Sequence, residues 1–312
     1  MAGNSKGNKG KLILSLLLIL IIVAEVFAYF FFDEKIKSIN EKVAEESKEV
    51  AAREEVLKEK ESELEKANAT LDSYENISTK IEELRSEAFK LAKELEDKII
   101  AGESDRKIAY LTFDDGPYYN TYNVLDVLDK YNVKVTFFTT SINGEYCYDN
   151  KNEVCFKLYK EYFKHGHTIA NHTFTHGIWR GLYSSVDSFM TAVTNQEEQI
   201  KNQTDGYVTN ILRFPGGSRT AGGLKNGIIE KLREKGYGWV DWTAQDGDGG
   251  ELNSTSEAWS NFKSSINQDI EVVLFHDYSK ITLAILPDAI EYLRSNGYIL
   301  LPLFYESNMI NK

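Results

Sequence analysis

The chain has 312 residues, long for a single domain, and its 42% apolar content suffices for a real core, so a globular domain with an accessory segment is expected. A formal charge of -12 has the wrong sign for a protein that binds nucleic acid by releasing counterions from phosphates. Its only cysteines, Cys147 and Cys155, cannot make a disulfide-dense scaffold, a cysteine-only zinc site or an iron–sulfur cluster.

Residues 1–11 form a polar tail with Lys6, Lys9 and Lys11 and no acid. Residues 12–32 are apolar save Ser15 and Glu25, about the length that spans a bilayer, and Asp33 and Glu34 follow. Basic residues before this segment and acids after it predict a single-pass membrane anchor, with the N-terminus cytoplasmic and everything later outside. The competing expectation is a signal peptide cleaved after Val26-Phe27-Ala28, leaving a secreted chain. Residues 33–102 turn to Glu, Lys, Ala and Leu, with Ile36, Val43, Val50, Leu57, Leu64 and Leu71 at heptad spacing and a second column at Tyr74, Ile81, Ala88 and Leu95. Charged Glu46, Arg53 and Lys60 thin the early seam. A long helical, coiled-coil-like stalk is expected; a homodimer through it stays open, beside the reading of a solvated spacer.

From 103 to 312 the pattern changes. Strand-like runs at 107–113, 133–139, 167–171, 211–213, 237–241, 270–275 and 298–303 alternate with amphipathic stretches at 120–131, 154–164, 185–202, 224–235, 256–267 and 287–295. This predicts an α/β domain whose parallel sheet closes, or nearly closes, into an irregular (β/α) barrel of about seven strands. An open doubly wound sheet is the alternative, although no glycine-rich dinucleotide loop follows the first strand. In such barrels reactive side chains sit at the C-terminal ends of the strands. Asp114 and Asp115 follow the first strand, His172 and His176 the third, Arg213 ends the fourth, Asp248 follows the fifth and His276 ends the sixth.

Two histidines four apart, His172 and His176, can present nitrogens to one metal, but Thr173 cannot act as a base, so a third ligand and a base must come from elsewhere. Asp114 and Asp115 can supply both. Adjacent carboxylates repel unless their tasks differ, so one is read as a ligand and the other as the acceptor of a proton from water. Gly116-Pro117 turns the chain away from the ladder. In isolation the same four residues would read as a solvated turn.

Thr112-Phe-Asp-Asp-Gly-Pro117, His172-Thr-Phe-Thr-His176, Arg213-Phe-Pro-Gly-Gly217 and Leu274-Phe-His276, in that order, resemble the motifs of the NodB-homology polysaccharide deacetylases, carbohydrate esterase family 4. The resemblance runs from about Arg106 to Leu303. It implies an irregular (β/α) barrel and one divalent metal ion, most often zinc, held by Asp115, His172 and His176. It further implies Asp114 as general base, His276 as general acid, Arg213 as partner of Asp114, and the backbone N–H of Gly216 as oxyanion donor. In the fourth motif, Asp241-Trp-Thr-Ala-Gln-Asp-Gly-Asp248, the resemblance points to Asp248 as partner of His276, with Asp241 and Asp246 as fallbacks. Gly249 stands where many members have Trp, which leaves a groove wall open unless Trp242 supplies it.

The remaining candidates are weaker. His165 is read as a helix-end residue and His167 as structural. Cys147 and Cys155, on a surface insertion facing an oxidising exterior, predict a small-loop disulfide. Trp179, Tyr183 and Trp242 are candidates for stacking on sugar rings, with core packing as the alternative. The expected activity is removal of N-acetyl groups from N-acetylglucosamine of peptidoglycan, a cell-wall polymer within reach of an anchored enzyme. Exported poly-N-acetylglucosamine, N-acetylmuramic acid, chitin fragments and acetyl-xylan are alternative substrates, and a non-catalytic carbohydrate-binding surface protein is the alternative class.

Overall fold

A computed structural model describes residues 74–142 and 155–312. The expected anchor, the first part of the heptad column and Cys147 lie outside them. Among the described residues no helix is long and apolar enough to cross a membrane. A compact unit runs from Ala88 to Lys312, and the residues before it form a second unit.

Helix α1 (Tyr74–Ile100) bears out the helical expectation over its range. Its buried stripe within the compact unit is Ala92, Glu96 and Ile99, with Phe89 and Leu95 packed beside it, while Leu91 is exposed. Phe89 stacks on Phe304 at 5.0 Å. The fully buried Glu96 carboxylate accepts from the Tyr110 hydroxyl (2.5 Å), the Ser307 hydroxyl (2.6 Å) and the Asn308 N–H (2.7 Å). The compact unit therefore begins before the composition change at 102.

Eight strands follow: β1 (Lys107–Asp114), β2 (Thr136–Thr139), β3 (Thr168–Asn171), β4 (Ile211–Leu212), β5 (Gly238–Trp239), β6 (Ala244–Gln245), β7 (Ile270–His276) and β8 (Tyr298–Leu300). Their order is β5-β4-β3-β2-β1-β7-β6, with β8 on β1, and all of these pairings are parallel. No pairing joins β5 to β6 among the described residues, so the barrel is open between them. The expected strands are present, β1 and β7 one residue longer than read and the other five shorter, and β6 is additional. Two residues between turns offer no periodicity to read, and pairing with β7 alone makes β6 a strand.

Strand periodicity sorts β1. Ala109, Leu111 and Phe113 enter the core beneath the helices α2 (Thr121–Lys130), α3 (Lys157–Lys164), α6 (Thr255–Ser265) and α7 (Lys280–Ser295). Ile108 and Tyr110 enter an opposite cluster with Ala92 and Phe304, and Thr112 and Asp114 continue that face. Helices α4 (Val186–Gln203) and α5 (Lys225–Glu234) cover the third cluster, around Phe189, Phe214 and Leu232. Helix α7 begins seven positions before the expected 287, because Ser279 caps it by accepting the Thr282 N–H; Pro287 lies inside the helix.

Candidate active site

Parallel register brings the expected residues to one rim. Asp114 on β1 pairs with His276 on β7, Asn171 on β3 with Leu212 on β4, and both motifs continue from those ends. Asp115 takes φ 72°, and a cis Gly116-Pro117 bond follows. Thr173 (φ 65°) and His176 (φ 47°) are also left-handed. Such residues store strain that the surrounding fold must hold, and here all three adjoin the site. Gly116 is required sterically, since a Cβ there would fall on the buried Asp277 carboxylate.

The ligand atoms of Asp115, His172 and His176 lie within 4.8 Å of one another. His172 Nε2 is 3.5 Å and His176 Nε2 3.4 Å from Asp115 Oδ1. Two donors each about 2.1 Å from a tetrahedral cation stand about 3.4 Å apart, so the spacing fits a divalent ion with N and O ligands. The chemistry of the donors fits too. The Nδ1–H of His172 donates to the Arg213 carbonyl at 2.9 Å, turning the lone pair of Nε2 toward Asp115. Burial, helped by neighbouring His176, holds His172 near pKa 3, hence neutral and able to ligate.

Asp114 is buried, and its Oδ1 accepts from Arg213 Nη1 at 2.8 Å; its Oδ2 faces His172 Nε2 at 3.6 Å. Burial raises its pKa, while the charges of Arg213 and His276 work against that rise. Arg213 is fully buried yet satisfied, donating also to the Thr112 hydroxyl (2.7 Å) and the carbonyls of Val240 and Asp241 (3.2 Å each). Its guanidinium lies 4.2 Å from the Phe138 ring.

Opposite, His276 Nε2 is 3.8 Å from Asp115 Oδ2. Its Nδ1 and backbone N–H both meet Asp248, at 2.7 Å each. Burial disfavours the imidazolium, but the hydrogen bond and charge of Asp248 outweigh it and raise the pKa to about 9. Asp248 is therefore the partner of His276, and it follows β6 rather than a fifth strand. The two fallback aspartates have other contacts. Asp241 accepts from the Ser218 N–H (2.9 Å) and hydroxyl (2.6 Å), beside the Gly216 loop. Asp246 meets the Thr282 hydroxyl (2.7 Å), which also meets Asp248 (2.6 Å).

Gly216 is exposed with φ 72°, and its N–H makes no hydrogen bond among the described residues. The neighbouring carbonyls are occupied: Tyr183 donates to Pro215 O (2.9 Å) and Thr220 to Gly216 O (2.7 Å). Tyr183 thus braces this loop.

Trp242 lies beside the Gly216 loop. It packs against Gly217 and lies 5.9 Å from Arg213, because the loop glycine leaves it room. A Cβ on Gly249 would meet the His276 ring at 3.0 Å. The Tyr278 ring lies 5.1 Å from that of His276, and Tyr118 packs on Tyr278 at 5.2 Å. Sequence reasoning missed both. Trp179, just past His176, is 96% exposed, which does not fit core packing. His165 caps α3 and pairs with Asp129 at 2.6 Å, and buried His167 accepts from the Val135 N–H. Cys155 is buried and disulfide-bonded.

A family model described as polysaccharide deacetylase matches residues 101–237. A putative polysaccharide deacetylase, YheN, of Bacillus subtilis is 31% identical over 246 residues, covering 72% of this chain and 82% of that one. A peptidoglycan-N-acetylglucosamine deacetylase of Bacillus cereus is 29% identical, covering 62% and 68%. Among solved structures, the catalytic domain of a peptidoglycan N-acetylglucosamine deacetylase from Eubacterium rectale is 33% identical with a TM-score of 0.59, over 66% of this chain and 93% of that one.

Proposed function

From the premise that this chain belongs to the polysaccharide deacetylase family, hydrolases of amide bonds on polysaccharides, we propose that it removes N-acetyl groups from N-acetylglucosamine of peptidoglycan. The observation that supports this most is one rim holding the Asp115, His172 and His176 cluster, the Asp114–Arg213 pair and the opposed His276–Asp248 pair. Relatives named for peptidoglycan N-acetylglucosamine support the choice of sugar polymer.

In this reading Asp115, His172 and His176 would hold a divalent cation, zinc by the donor set, which would supply Lewis-acid polarisation of the acetyl carbonyl and a lowered pKa for water. Asp114 accepts the proton of the attacking water on Oδ2, since Arg213 occupies Oδ1. Burial makes that carboxylate a stronger base, and Arg213, a positioning residue, keeps it aimed. The Gly216 N–H donates to the oxygen that gains charge as water adds. His276 gives its Nε2 proton to the nitrogen as the C–N bond breaks, releasing acetate and leaving a free amine on the sugar. Asp248, the second positioning residue, fixes the Nδ1 side. An unactivated amide needs this protonation; an acetyl ester needs it less.

We further place the catalytic unit outside the membrane on a helical stalk, because residues 12–32 read as an anchor. Incubating the purified chain with peptidoglycan, chitooligosaccharides and acetyl-xylan, and measuring acetate from each, tests the assignment. Acetate release is expected first from peptidoglycan, and none from any N-acetyl sugar would overturn the reading.

A further inference from the structure

Behind the acid pair lies a second buried carboxyl that the mechanism leaves unused. We propose that Asp246 and Thr282 are positioning residues: Asp246, as the neutral acid, donates to the Thr282 hydroxyl, which donates onward and fixes Asp248 against His276. This rests on the reading of His276 as the proton donor.

Thr282 Oγ1 lies 2.7 Å from Asp246 Oδ2 and 2.6 Å from Asp248 Oδ2. One hydroxyl carries one hydrogen, so it can donate to only one of two carboxylates. The other contact is a hydrogen bond only if that carboxyl brings its own proton. Asp246 is fully buried and Asp248 nearly so, so bulk solvent does not screen a bare oxygen–oxygen contact there.

The proton belongs on Asp246. Asp248 already accepts from both His276 Nδ1 and the His276 N–H, two short bonds that favour its anion. Among the described residues the Asp246 carboxyl accepts the Asp248 N–H alone, at 3.1 Å on Oδ1, and its backbone carbonyl takes the Asn261 amide. Burial and then the negative charge of Asp248 push the Asp246 carboxyl up to about 7. Thr282 is itself fixed, since its N–H is held by Ser279 in the first turn of α7. The order Asp246–OH to Thr282–OH to Asp248 leaves every donor and acceptor in the chain used.

The test compares kcat and KM of the full chain with those of Thr282→Val, Thr282→Ser, Asp246→Leu and Asp246→Asn on the substrate the wild type deacetylates best. Thr282→Val removes the hydroxyl at constant shape and should lower kcat about tenfold or more with KM within about threefold. Thr282→Ser restores the hydroxyl and should recover most of that loss. Asp246→Asn keeps an acceptor for the Asp248 N–H and a neutral donor toward Thr282, so it should regain about tenfold over Asp246→Leu. Unchanged kcat in Thr282→Val, or Asp246→Asn as poor as Asp246→Leu, overturns the proposal. Should Thr282→Val fail to fold, as judged by its melting transition, the two Asp246 variants decide. A wild type inactive on every N-acetyl sugar counts instead against the deacetylase reading.

Discussion

At the scale of single residues, the site works by giving similar groups unlike surroundings. Asp114 and Asp115 are chain neighbours, yet a left-handed φ at Asp115 turns its carboxylate to the histidines while Asp114 stays on the strand face with Arg213. Asp115→Ala is expected to abolish activity and stoichiometric metal binding while leaving a folded protein, which elemental analysis beside a melting curve checks. His276 is held near 9 by Asp248, so it remains an acid through neutral pH and activity should fall as pH rises through that value. Asp248→Asn removes the charge that raises His276. Its alkaline limb should therefore move to lower pH and kcat should drop about 10²-fold or more, as a pH–rate profile would reveal. An unmoved limb would mean that another group sets it. Gly116→Ala forces a Cβ onto Asp277, and the expected destabilisation is about 1–3 kcal/mol in denaturant unfolding.

At the scale of elements, two anchors set geometry from outside the chemistry. The Asp241 carboxylate holds both polar groups of Ser218 and so steadies the turn that presents the Gly216 N–H. Helix α1 is fastened by Glu96 to three donors on β1 and the C-terminal segment. Replacing Glu96 by Ala orphans the buried Tyr110 and Ser307 hydroxyls and the Asn308 N–H, so about 2–4 kcal/mol of stability should be lost, with kcat little changed where the protein remains folded. A calorimetric midpoint equal to the wild type's would contradict this. The stripe Ala92, Glu96 and Ile99 was concealed in the sequence by the heptad column around it, because a carboxylate reads as a solvent-facing position until its partners are known. The same holds for Thr282: with Ile285, Leu286, Ala289 and Ile290 it lies on a helical stripe of buried positions, a signal present in the spacing but centred before Pro287, where no helix was expected.

For the whole molecule, the compact unit from Ala88 predicts where the chain can be cut. A protein starting at Ala88 should unfold cooperatively, whereas one starting at 103 lacks the helix segment over Phe304 and Tyr110 and should be insoluble or melt lower. Equal melting of the two would show that helix α1 contributes nothing to the unit. The sequence by itself determined the chemical inventory, the α/β alternation and the convergence of Asp114, Asp115, His172, His176, Arg213 and His276, because strand ends in a parallel sheet must share a rim. The resemblance already pointed to Asp248 as the partner of His276; tertiary structure alone decided that Asp246 joins Asp248 through Thr282, that Trp242 packs on Gly217, and that Tyr278 lies beside His276 with Tyr118 packed on Tyr278. The physical reason is that those residues lie on short turns and connections between strands, where no periodicity fixes the direction of a side chain. Their partners are chosen by packing between segments distant in the chain.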